Sequence, residues 1–341
     1  MPRKSPVLSL VLSILAYCAL WLLIPKATIL PIIMGILQSF TSFTGDSVAA
    51  GLGLATVVIM AAPTIAFMAA QMSVIYFFTK LKLNVWQALF SLIACLACVA
   101  LFTMLIAHQM YIAQKLGRYP NIRELFFILG NYFGPLKMPI SMLVMLAASS
   151  IGYMVSLRIK DKNLILPVVM FAACIDYWTV TQGHVAAVLK HAPEIVSAVS
   201  APIPQAGAGS FVPVTMMGPG DPLFIALVLA AVHRLKMDSK RNFWFIFVAM
   251  TLGMVAVMLG YLPFLPALTL LAVAVILANL RQFKLSNEEK ISVAVVGVVL
   301  FAFTFWVWPA LRGQGTLEAH KKPGIAAKAP SSFPAKSSRK L

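Results

Sequence analysis

"TMMGPGDPLFIALVLAAVHRLK", residues 215–236, sets a carboxylate, Asp221, behind a Gly-Pro-Gly turn and directly before a run of apolar residues suited to a bilayer. Similar apolar blocks recur at 7–24, 47–78, 85–113, 138–157, 163–182, 215–233, 242–262, 265–280 and 291–308. The composition agrees: 61% of the 341 residues are hydrophobic and 11% charged, less than half the charged fraction of an ordinary soluble domain. In lipid every backbone N–H and C=O needs an internal partner, which a helix supplies, and the blocks lack the alternation of barrel strands. The expected fold is all-α, a polytopic membrane protein built as a bundle of about nine transmembrane helices.

Residues 1–162 read as N-terminal transmembrane helices, 163–311 as the region carrying Asp221, and 312–341 as a basic tail with almost nothing to bury, expected to be disordered. Pro63 sits near the middle of the second block, where a kink is expected. The stretch 27–43, "ATILPIIMGILQSFTSF", is broken by Pro31 and ends in polar residues, so it reads as interfacial or re-entrant. Arg3 and Lys4 ahead of the first block are like a signal peptide's charged start, but no small-x-small cleavage site follows, and a retained helix is expected.

The net charge of +17 comes from short Lys/Arg clusters between the blocks and in the tail. That pattern suits anionic lipid headgroups and topology rather than nucleic acid. With the N-terminus cytoplasmic and nine spans, fourteen basic residues fall on the cytoplasmic side and six opposite, leaving out the tail. The bias supports this topology; a tenth span at 27–43 reverses it, and the seven basic residues of the tail pull the other way. An integral multi-pass protein, of the cell membrane, is the expected localisation.

Cys18, Cys95, Cys98 and Cys174 all lie within apolar runs, and the C-x-x-C at 95–98 has no further ligands beside it, so packing is the reading. His108, His184, His191 and His233 have no second ligand at metal spacing. No metal and no cofactor are expected. Asp46 reads as the N-cap of the second span.

Of ten acidic residues only Asp176 and Asp221 interrupt apolar blocks. A carboxylate at that depth costs roughly 2.5–3.5 kcal/mol on insertion scales and marks either an ion path or catalytic site, or else a cap or interhelical hydrogen bond. Asp176 lies 14 residues after Lys162 and Asp221 lies 13 before Arg234. At 1.5 Å per residue both sit about 20 Å from the same face, on antiparallel helices, where they can meet. Two close carboxylates share a proton, so one can activate water while its partner polarises a peptide carbonyl.

The residues around the pair carry a resemblance. "GPGD", Gly218–Asp221, resembles the G-x-G-D motif of the presenilin and signal peptide peptidase family of intramembrane aspartyl proteases. "IDYWTV", 175–180, is similar to its Y-D segment, and Pro266, Ala267 and Leu268 form a P-A-L one hairpin later, in the family's order. Leu268 is 13 residues before Arg281, a depth common to both aspartates. The likeness covers roughly 163–281. It implies a presenilin-like fold, Asp176 and Asp221 as the catalytic pair, and Gly218, Gly220, Pro266, Ala267 and Leu268 against a locally unwound substrate, a transmembrane or signal-peptide-like helix. The sequence departs in placing Ile175 before Asp176, so the supporting ring falls to Tyr177 after it. Pro219 and Pro222 flank the motif's last residues, and a further span follows the P-A-L helix, here the eighth.

The connection 183–214, mixed in polarity and rich in Pro and Gly, reads equally as a gate for water and substrate or as an ordinary loop. Three other readings of the chain stand beside the protease: a proton- or cation-coupled transporter using the same carboxylates, a prepilin-peptidase-like G-x-G-D enzyme, and an inactive relative serving in assembly. Oligomeric state is not legible.

Overall fold

The apolar blocks become helices because each offers ten or more consecutive residues whose backbone can be satisfied only internally. The computed structural model describes residues 5–26, 46–113, 120–132, 134, 136–181, 193–204, 213–258, 267–283 and 285–302. In chain order the elements are α1 (Pro6–Leu23), α2 (Asp46–Thr79), α3 (Val85–Ala113), α4 (Ile122–Asn131), α5 (Lys137–Ser156), α6 (Ile165–Thr181), α7 (Pro193–Val199), β1 (Ala201–Pro204), β2 (Pro213–Met217), α8 (Gly220–Arg234), α9 (Ser239–Met258), α10 (Ala267–Asn279) and α11 (Asn287–Ala302). The readings made for 27–43, for Pro266 and for the tail fall outside the described residues.

Among the described residues five helices are long and apolar enough to cross a membrane: α1, α3, α5, α9 and the second half of α2. The chain is thus a predominantly helical protein of membrane type. Shorter helices occupy the other blocks: α6 has 17 residues, α8 15, α10 13 and α11 16. Helix α2 continues through Pro63.

The all-α expectation needs one correction. β1 and β2 pair antiparallel, with Ala201 opposite Met217 and Ile203 opposite Thr215. Residues 215–217, expected to open the sixth span, belong to β2, and the helix starts only at Gly220. The Gly-Pro-Gly turn explains the shift, because Gly218 and Pro219 disfavour helix propagation from upstream while a proline early in the first turn, Pro222, is tolerated.

Met1–Gly297 forms one compact unit; the second unit, Val298–Leu341, is described only over the end of α11. Within the first unit, side-chain contacts gather a defined set of helix ends. Leu10 packs against the cluster of Phe78, Ala88, Tyr153 and Ala230, and the Tyr153 hydroxyl bonds the backbone of Leu81 and Leu83. Arg234 donates to Ser156 O, Tyr76 meets Phe243, and Asn242 exchanges amide hydrogen bonds with Asn279. Asn163 donates to Glu289. The start of α1, the ends of α2, α5, α8 and α10, and the starts of α9 and α11 are linked by these contacts.

Helix α8 is the most enclosed element, buried from Ile225 through Val232. Its closest approach is to α5, where a Cβ on Gly152 would stand 2.0 Å from Leu223 O. Ala148 and Gly152, four residues apart, are the small-residue spacing that lets two helix backbones meet in lipid, where side-chain apolarity supplies no drive to associate.

Candidate active site

Asp221 is the second residue of α8, and its N–H donates to Gly218 O at 3.3 Å, closing the turn that β2 enters. The carboxylate folds back over that turn: a Cβ on Gly218 would lie 3.9 Å from Asp221 Oδ2, whereas one on Gly220 would meet nothing within 4 Å. Gly218 therefore borders the carboxylate and Gly220 borders open space. Both arrangements leave backbone accessible beside Asp221.

Asp176 lies on α6, little more than a turn from its end. Its Oδ2 accepts the Leu268 N–H at 2.8 Å and the Thr269 N–H at 3.3 Å. These two donors sit in the first turn of α10, where N–H groups have no partner within their own helix, so the carboxylate caps α10 from another element. Thr269 also donates its hydroxyl to Ala173 O at 3.2 Å, and Thr179 donates to Asp176 O at 3.0 Å. Asp176 and Asp221 lie close enough for the charge of the first to act directly on the second.

Of the residues singled out in the sequence, the fold thus joins Asp176 to Leu268 and brings Asp221, with Gly218 beside it, within electrostatic reach. Ala267 and Leu268 are buried at the head of α10. Tyr177 follows Asp176 on α6 and is half-buried. Helices α6 and α8 both pack against α10 and make at most marginal direct contact with each other among the described residues. Thr269 was not foreseen, since a threonine after a P-A-L carries no signal of its own.

Two further features adjoin these helices. An apolar cavity of about 490 Å3 opens between Val155 of α5, Pro167 and Phe171 of α6, Leu223 and Leu227 of α8, and Val296 of α11. Phe171 and Asp176 are five residues apart, roughly 140° around the helix, so the cavity runs along the flank of α6 and not on its carboxylate face. Lys137, 1% exposed, donates from Nζ to Leu129 O at 2.8 Å and Ser197 O at 3.3 Å, while Ser197 Oγ bonds Gly130 O. The last carbonyls of α4 and α7 are thereby held, and α7 leads through Ser200 into β1. Along the sequence this lysine is one of the six basic residues counted opposite the cytoplasmic side.

Among the described residues no group of three or more His, Cys, Asp or Glu is placed to hold a metal ion. The free cysteines are scattered: Cys95 is buried, Cys98 exposed, and Cys18 and Cys174 lie between. No family model, curated protein or solved structure matches the chain.

Proposed function

We propose that the chain is a multi-pass intramembrane aspartyl protease of presenilin or signal peptide peptidase type, with nine spans and with Asp176 and Asp221 as its catalytic pair. The observation that carries the reading is the double hydrogen bond from Leu268 and Thr269 to Asp176. Leu268 of the P-A-L, 92 residues from Asp176, bonds that carboxylate directly, which supports reading two individually weak motifs as parts of one site. A cap or an interhelical bond alone would account for Asp176 but leaves Asp221, in its own apolar block, without a reason.

The chemistry follows from the donors. Asp176 Oδ2 accepts two N–H groups, which leaves Oδ1 to take a proton from water and suits Asp176 to the base role. The water oxygen adds to the peptide carbonyl carbon while Asp221, carrying the pair's proton, donates to the carbonyl oxygen. The proton taken by Asp176 then passes to the nitrogen as the C–N bond breaks, and one hydroxyl of the gem-diol returns its proton to Asp221 as the carboxyl product forms. Water is the only co-reactant, and no cofactor enters. The substrate is a transmembrane or signal-peptide-like helix that unwinds locally, because a helix shields its carbonyls from attack. β2 ends at Met217, directly before the turn that bears Asp221, so extended backbone already lies next to the site. Lipids are the other partners.

The test is Asp176→Asn and Asp221→Asn in the purified chain, reconstituted with a single-span helix. Each keeps the shape, and in Asp176→Asn the new amide oxygen would still accept the α10 N–H groups, so folding persists while cleavage falls to background. Full cleavage by either variant removes that residue from the mechanism. Proton-linked uptake without any cleavage by the parent protein transfers the pair to a transporter.

A further inference from the structure

Threonine in the first turn of a helix usually turns its hydroxyl toward its own backbone. Thr269 turns it to α6 instead, donating to Ala173 O at 3.2 Å while its N–H donates to Asp176 Oδ2. Ala173 and Asp176 are three residues apart, nearly one turn, so the two bonds grip one face of α6 at successive levels.

The grip matters because of what surrounds it. Helix α10, "ALTLLAVAVILAN", is otherwise apolar until Asn279. Between apolar faces in lipid there is little to resist sliding, whereas a directional hydrogen bond selects one register. At its other end α10 is fastened to α9 by the reciprocal amide bonds of Asn242 and Asn279, both fully buried. Its relation to α6 is set at the Thr269 end.

We propose that Thr269 is a positioning residue for Asp176: its hydroxyl fixes α10 on α6 in the register that presents the Leu268 and Thr269 N–H groups to the carboxylate. The inference rests on the reading of Asp176 as one of the catalytic pair. Without the hydroxyl α10 shifts along α6, the carboxylate loses its orientation, and the attacking water is misplaced.

Thr269→Val keeps the side-chain shape and removes only the hydroxyl; Thr269→Ser keeps the hydroxyl. In vesicles with a single-span helix substrate, Thr269→Val lowers kcat on the order of 100-fold, the effect of a misplacement of about 1 Å. KM and melting temperature stay at the parent values, and Thr269→Ser restores the rate. Parent kcat in Thr269→Val, or equal slowing in both variants, overturns the proposal. If Thr269→Val does not fold, Thr269→Ala replaces it under the same criteria. If the parent cleaves nothing, the protease reading falls and the clamp is judged by infrared spectroscopy. The carboxylate stretch of Asp176, isolated by subtracting the Asp176→Asn spectrum, then shifts in Thr269→Val and holds its place in Thr269→Ser; an identical band in all three overturns the clamp.

Discussion

Lys137 shows what a single buried cation does in this fold. Its amine is enclosed and bonded to Leu129 O and Ser197 O, carbonyls near the C-terminal ends of two short helices, where unpaired oxygens and the helix dipole both favour a positive charge. Lys137→Met fills the same space and leaves two buried acceptors unsatisfied, at about 1–3 kcal/mol each. The expected outcome is a lower midpoint in detergent unfolding, with loosened α7 as the local symptom. An unchanged midpoint shows that other donors reach those carbonyls. Leu268 acts differently, since it serves Asp176 through its main chain. Leu268→Ala retains the N–H that caps the carboxylate but empties a buried apolar position, costing about 2–5 kcal/mol. If the side chain also walls the substrate site, cleavage per folded molecule drops beyond that loss. Equal falls in folded protein and cleavage confine Leu268 to packing.

At the scale of elements, the long apolar runs were legible because lipid leaves a backbone few alternatives to the helix, and α1, α3 and α5 begin and end within a residue of their blocks. What escaped was short: α4, α7 and the β1–β2 pair lie in stretches where Pro, Gly and polar residues interrupt every periodicity. In α4 a ten-residue helix presents Ile122, Phe126 and Phe127 outward while burying Ile128 and Leu129, too brief a pattern to separate from a loop. The aspartates were legible as exceptions to their surroundings. The hydroxyl of Thr269 was not, because its partner lies 96 residues away. Two element contacts invite tests. Gly152→Ala forces α5 and α8 apart, since the new Cβ meets main chain, and costs about 1–3 kcal/mol, read as a lower unfolding midpoint. Helix α11 is joined to the start of α6 through Glu289, whose carboxylate accepts the Ser286 N–H and the Asn163 amide. Those bonds, the Ser286 N–H first, hold its pKa below the ordinary 4.5. A lowered folded value means that the tether is fully present at neutral pH and is lost as pH falls through that value. Spin labels on Leu164→Cys and Ile291→Cys should give a narrow distance distribution at neutral pH that broadens in acid. Adding Glu289→Gln should abolish the pH dependence; persistence of the acid response assigns it elsewhere.

The helix ends joined by Tyr153, Arg234, Asn163 and the Asn242–Asn279 pair are those flanked by Lys80, Lys82, Arg158, Lys160, Lys162, Lys236 and Arg281. Charge and packing thus agree on which ends belong together, although one was counted along the sequence and the other follows from side-chain contacts. Helix α1 packs on α2, with Tyr17 and Trp21 against Phe67 and Leu10 at the cluster that holds Phe78. If basic ends face the cytoplasm, cysteine at Lys160 in a cysteine-free background should react with an impermeant maleimide only after cells are permeabilised. Cysteine at exposed Arg123, on α4, should react in intact cells. This orientation places Asp176 and Asp221 about 20 Å from the cytoplasmic face, beyond the midpoint of a hydrocarbon core about 30 Å thick. On the protease reading proposed above, α6 and α8 then run in the directions of the signal peptide peptidase branch, opposite to presenilin, and a substrate helix should be cut nearer its non-cytoplasmic end. Reaction of Lys160→Cys from outside would invert the molecule and move the expected cut toward the cytoplasmic end, leaving the hydrogen bonds of Asp176 to Leu268 and Thr269 untouched because they are internal.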